Sequence, residues 1–147
     1  MEHDLFFDGN MKEYSWTIIT GKNVAEQIRT HPAAYLSGGK LDVKNTEESK
    51  FIALHIGIYW GLGVYIIKNN DQINVMCDSK RMYEILTKGE KSDSQIINDK
   101  VHFINQLAEV RKLKIKFQMI DVKENLTTRH LFAEGKDTAG RDSFSYV

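Results

Sequence analysis

Apolar and polar positions follow two periods along this chain, one close to two residues and one close to three and a half. Leu5-Phe6-Phe7 is a short apolar run that stops on Asp8, with the turn residues Gly9-Asn10 behind it. Tyr14 to Thr20 is aromatic and β-branched, which predicts a second strand, closed by Gly21-Lys22-Asn23. The short spacing between the two implies an antiparallel hairpin. Val24 to Leu41 is less regular: Val24 to Ile28 reads as strand or helical turn, Pro32 interrupts, and Ala34-Tyr35-Leu36 has strand character. A third antiparallel strand is expected in this region.

Helical spacing begins after Asn45. Asn45 suits an N-cap, Glu48 falls at the third helical position, and Phe51, Leu54, Ile58 and Leu62 follow on one face. The segment from Phe51 to Ile67 is almost wholly apolar, yet it carries His55 and is shorter than the roughly 20 residues of a membrane span. Gly57 and Gly61 within it suggest close packing of a buried helix against a sheet, and Gly63 a stop before Val64. Gln72 to Asp78 alternates as a strand. A short helix starts at Ser79, presents Met82, Ile85 and Leu86, and ends at Gly89.

Beyond a polar loop from Lys88 to Gln95, Ile97, Val101, Ile104 and Ala108 recur at helical spacing. Ile115, Phe117 and Met119 alternate with Lys114 and Lys116 in a further strand up to Asp121, closed by Lys123-Glu124-Asn125, and Leu126 to Glu134 has the makings of a last helix. The order β-β-β-α-β-α-α-β-α predicts an α/β fold. Its mixed five-stranded sheet would have three antiparallel strands, then parallel strands, with helices on both faces. Right-handed crossovers place the Ile73 strand parallel to the first strand, and if the two are neighbours Asp8 lies beside Asp78.

Composition narrows the class without naming a partner. The 147 residues suit one domain, 1–147, with no internal repeat or linker. Twenty basic and twenty acidic side chains cancel, so no global field advertises nucleic acid, and any such partner needs a local patch. The best is Arg111-Lys112-Leu113-Lys114-Ile115-Lys116, whose ordinary reading is a solvated helix end and outer strand face. The single Cys77 excludes an internal disulfide and suits a reducing compartment. Met1-Glu2-His3-Asp4 is not a secretory leader, so the default expectation is a cytoplasmic monomer with no membrane partner.

The acids are the candidate chemistry. Asp8, the Glu47/Glu48 pair, Asp78 and Asp137 each sit where a strand or helix can aim them at one point. Cutting a phosphodiester requires a deprotonated water and a stabilised transition-state charge. Two Mg²⁺ ions about 3.5–4 Å apart do both and need a cluster of carboxylates. Taken singly, each acid has an ordinary role as a turn starter, a helix N-terminal charge or a solvated loop residue.

Phe7-Asp8-Gly9-Asn10, Cys77-Asp78-Ser79 and Lys136-Asp137-Thr138-Ala139, in this order of elements, resemble the type 1 ribonuclease H family over nearly the whole chain. The resemblance implies a ribonuclease H-like fold and an endonuclease that hydrolyses the RNA strand of RNA–DNA hybrids. Asp8 would bridge two Mg²⁺ (or Mn²⁺) ions, Asp78 and Asp137 would bind one each, and Asn10 and Ser79 would contact the substrate. The chain departs from the family in three places. Lys50 stands at the family's helix Glu, leaving Glu47, one turn earlier, to supply the carboxylate, with Glu48 less well aimed. Asn125 falls near the family's loop His, for which His130 is the other candidate, and the family's basic handle is missing between Lys88 and Gln95. The alternative is therefore a catalytically impaired module of the same fold that binds nucleic acid or a protein; a third option is action on branched DNA.

Overall fold

The computed structural model describes residues 1–31, 43, 45–128 and 131. Five strands, β1 (Glu2–Gly9), β2 (Glu13–Thr20), β3 (Asn23–Thr30), β4 (Gln72–Cys77) and β5 (Lys114–Met119), form one sheet in the order β3-β2-β1-β4-β5. The β1–β2 and β2–β3 pairs are antiparallel, while β1–β4 and β4–β5 are parallel. The third strand is thus the Val24 part of the ambiguous region; Ala34-Tyr35-Leu36 lies outside the described residues. β1 extends beyond Leu5–Phe7 in both directions because it is the central strand, with ladder partners on both edges.

Three helices follow the predicted spacing: α1 (Thr46–Gly63), α2 (Lys80–Lys88) and α3 (Gln95–Arg111). Each begins at a side-chain cap. Asn45 Oδ1 accepts the Glu48 N–H, Ser79 Oγ that of Met82, and Ser94 Oγ that of Ile97. Gly89 takes the left-handed conformation that closes α2, with φ 69°. The segment read as a last helix starts differently: residues 126–127 form a turn after a short 3₁₀ turn, Val122–Glu124, and Thr128 is in 3₁₀ conformation. Of the rest of that segment only Leu131 is described.

One hydrophobic core joins the inward sheet face, through Leu5, Phe7, Trp16, Ile18, Ile73 and Val75, to the apolar faces of α1, α2 and α3. α1 lies directly on β1 and β2, and α3 packs on α1. The α1 glycines permit this close seating: a Cβ on Gly57 would lie 3.0 Å from Trp16 Cγ, and one on Gly61 2.6 Å from Ile67 Cδ1. Cys77 is fully buried there, and burial, with Asp78 nearby, pushes its thiol up to about 12, which makes it inert as a nucleophile. Among the described residues no helix is long and apolar enough to cross a membrane.

Between α1 and α3, Lys100 Nζ lies 3.1 Å from His55 Nδ1. Burial, reinforced by the Lys100 ammonium, pulls His55 down to about 4, so its ring is neutral and Nδ1 accepts. The unfolded chain protonates this ring near its ordinary 6.5 and the folded chain only near 4. Between those values the unfolded state binds more protons, and stability falls as the pH falls. The expected loss is on the order of 2 kcal/mol. Urea midpoints measured from neutral pH to pH 4 should drop less in His55→Gln than in the parent chain; equal drops would remove His55 as the cause.

Candidate site at the carboxyl ends of β1 and β4

The parallel register pairs Leu5 with Val75 and Phe6 with Met76, and continuing it by two residues sets Asp8 opposite Asp78. The acids come together because strand pairing fixes them, not because they attract. Both are buried, with 6% and 9% exposure. Burial drives the Asp8 carboxyl above its ordinary value, and the neighbouring Asp78 charge adds to the rise. The Thr128 hydroxyl, the Lys50 ammonium and the Gly9 N–H pull in the other direction.

Lys50 reaches into this pair from α1. Its Nζ donates to Asp78 Oδ1 at 2.9 Å and stands 3.8 Å from Asp8 Oδ1. The other carboxylate oxygens are also engaged. Asp8 Oδ1 accepts the Gly9 N–H at 2.8 Å, and Asp8 Oδ2 accepts the Thr128 hydroxyl. Asp78 Oδ2 accepts Asn125 Nδ2 at 3.0 Å, and the same amide donates to the Phe7 carbonyl at 2.9 Å. All four carboxylate oxygens of the site are served by protein donors.

These residues do not fit a pair of divalent ions. Among the described residues no group of three or more His, Cys, Asp or Glu side chains gathers closely enough to hold a metal. The space between Asp8 and Asp78 that an ion would take is held by the Lys50 ammonium. An ion placed there would meet a like charge at contact range in a buried setting, where water screens it poorly.

The remaining acids fall elsewhere. Glu47 is half-buried in the first turn of α1, and the structure does not gather it with Asp8 and Asp78. It precedes Lys50 by three residues, about 4.5 Å along the helix axis, and Lys50 is the one set at the strand ends. Glu48 turns the other way, its carboxylate accepting the Ser94 hydroxyl at the start of α3. Asp137 and His130 lie outside the described residues. Asn10 Oδ1 holds the β1–β2 turn by accepting the Lys12 and Glu13 N–H groups, both at 2.8 Å, and Ser79 caps α2. Both stand at the same end of the sheet as the acids.

Thr128 carried no signal in the sequence, since a lone threonine in a segment read as a last helix matches no motif. Asn125 had one, its place near the family's loop His. The structure gives it a role in holding Asp78 to the end of β1. The segment carrying both is anchored where Ser15 Oγ and Thr127 Oγ1 meet at 2.7 Å.

No protein-family model matches the chain, and no curated protein sequence matches it. Solved structures do. RNase H1 from the halophilic archaeon Halobacterium salinarum NRC-1 is similar with a TM-score of 0.66 at 15% identity, covering 86% of this chain and 91% of that one. The N-terminal RNase H domain of a Mycobacterium tuberculosis protein, solved fused to maltose binding protein, gives 0.66 at 15%, covering 86% and 92%. LC11-RNase H1 in complex with an RNA/DNA hybrid gives 0.60 at 11%, covering 85% and 88%. The chain has a ribonuclease H-like fold, with the mixed sheet and helix order that go with it.

Proposed function

We propose that this chain binds RNA–DNA hybrids through a ribonuclease H-like domain in which metal-dependent hydrolysis is blocked by Lys50. The observation that carries this reading is the Lys50 ammonium paired with Asp78 and set against Asp8. A divalent ion lowers the pKa of a bound water and offsets the charge of a phosphorane-like transition state; an ammonium bonded to carboxylates does not generate hydroxide. The sugar–phosphate contacts of a hybrid do not require that step. Asn10 and Ser79, at the same end of the sheet, are the proposed contacts to it.

The second reading is hydrolysis of the RNA strand with Mg²⁺ or Mn²⁺, through Asp8, Asp78 and Asp137 and with Glu47 turned inward. The juxtaposition of Asp8 and Asp78 favours it, since an ordinary sheet end has no need of two buried carboxylates side by side. One experiment separates the readings: labelled RNA–DNA hybrid is incubated with the protein in EDTA, in Mg²⁺ and in Mn²⁺, beside Asp8→Asn. Retention of intact hybrid in every buffer is the expected result. Cleavage in either metal that disappears in Asp8→Asn would establish the enzyme and overturn the block. Absence of both binding and cleavage would overturn both readings.

A further inference from the structure

The region from Arg111 to Lys123 carries five basic side chains and one acidic one, a local surplus of four in a chain whose formal net charge is zero. All five cations are exposed. Among the described residues, Lys112, Lys114, Lys116 and Lys123 form no ion pair, whereas Lys50 has two and Arg81 and Lys88 one each. β5 is the edge strand of the sheet, and Lys114 and Lys116, two positions apart, project from one face of it about 6.6 Å from each other.

Two ordinary explanations cover part of this. Cations near the end of α3 complement the helix dipole, which accounts for Arg111 and Lys112. Lysines on an edge strand discourage edge-to-edge pairing, which accounts for Lys114 and Lys116. Neither explains why the ridge continues to the candidate site. At its upper end a cavity of about 620 Å³ is lined by Asp121, Val122, Lys123, Asn125 and Thr128. Asn125 and Thr128 are the residues that bond Asp78 and Asp8.

The register also shows where opposing charge lies. Lys114 pairs with Gln72 and Lys116 with Asn74, and these pair in turn with Glu2 and Asp4. The acids are therefore two strands away, roughly 9.6 Å by strand spacing. Asn74 Nδ2 donates to both, to Glu2 at 2.7 Å and to Asp4 at 2.9 Å. A polyanion is repelled from the middle of that face and attracted to its outer edge.

We infer that the β5 edge, from Lys114 through Lys116 to Lys123, is a phosphate-backbone track along which one strand of the bound nucleic acid runs towards the Asp8–Asp78 end. This rests on the hybrid-binding reading and adds the surface that supplies its electrostatic attraction. Phosphate contacts release counterions, each contributing about 0.9 to the slope of log K against log salt on a duplex.

The test titrates labelled hybrid, in EDTA and between about 50 and 200 mM salt, against the parent chain. The triple variant Lys114→Gln/Lys116→Gln/Lys123→Gln and a control, Lys22→Gln/Lys68→Gln, are compared with it; the control lysines are exposed at the opposite end of the sheet from the Asp8–Asp78 site. The track variant should keep the parent Tm, bind more weakly and lose roughly three from the salt slope, while the control keeps both. A track variant with the parent's slope overturns the inference and leaves hybrid binding standing; increased self-association beside it would identify the lysines as edge protection. If the parent ignores hybrid but binds single- or double-stranded DNA with a slope that falls in the track variant, the hybrid reading fails and the track stands. No binding to any nucleic acid overturns both.

Discussion

Lys50→Glu should turn the Asp8–Asp78 end of the sheet into a cation-dependent site. A glutamate oxygen ends one bond, about 1.5 Å, short of the lysine nitrogen it replaces. A Mg²⁺ ion about 2.1 Å beyond that oxygen falls close to the place the ammonium holds, 2.9 Å from Asp78 Oδ1 and 3.8 Å from Asp8 Oδ1. Without a cation, three carboxylates converge with no counter-charge. Losing the partner of a buried ion pair costs about 3–5 kcal/mol, and the added repulsion acts in the same direction. For a domain of this size that is a fall of roughly 10 °C in Tm. Mg²⁺ or Mn²⁺ at about a hundred times its dissociation constant should return about 2.7 kcal/mol. Thermal unfolding of parent and variant, in chelator and in each metal, reads this directly. A parent chain stabilised by metal as much as the variant would show that Lys50 does not exclude the ion. A variant indifferent to metal would show that Glu at this position does not complete the site.

Gly9→Ala should be the most damaging glycine-to-alanine change among the described residues. A Cβ on Gly9 would lie 2.1 Å from Ser49 Oγ, 2.7 Å from its Cβ and 2.8 Å from its backbone carbon. Ser49 cannot swing aside at small cost, because its hydroxyl meets His31 Nε2 at 2.7 Å and donates to the Glu13 carbonyl at 3.2 Å. The backbone carbon has no rotamer to change, so α1 itself has to retreat from β1. Overpacking of this kind costs about 1–3 kcal/mol and the disturbed hydrogen bonds about 1 more, with Lys50, the next residue, carried away from the acids. The expected result is a Tm lower by roughly 5–10 °C, with Ser49→Ala alone much milder. A Gly9→Ala protein with the parent Tm would mean that α1 is not seated against β1 as closely as these distances require.

Local signals made most of the fold legible. Alternation marked Tyr14 to Thr20 and Gln72 to Asp78, and helical spacing marked the three helices. Asn45, Ser79 and Gly89 announced ends that the structure places within a residue. The right-handed crossover was enough to make β1 and β4 parallel, and the sheet order makes them neighbours. Gly9 shows how one residue supports two readings. In the sequence it looks like turn chemistry after Asp8, but it is the last residue of β1, needed for the space it leaves open. Asn10 is the residue that holds the turn.

The site divides along the same line. Pairing Asp8 with Asp78 needed only strand order and register, both properties of a pattern repeated over many residues. Whether an acid or an ammonium joins them depends on where α1 sits over the strand ends, and a shift of one turn exchanges Glu47 for Lys50. Helical periodicity cannot choose between residues three apart on one face. Close contacts choose instead: Gly9 under Ser49, and Gly57 and Gly61 under Trp16 and Ile67. Asn125 and Thr128 are further still from local signals, because they reach the acids from more than forty residues away along the chain. Local patterning was enough to order the strands and helices and to bring two carboxylates to one end of the sheet. What stands between them depends on the seating of α1 against β1, through packing distances that no short stretch of sequence encodes.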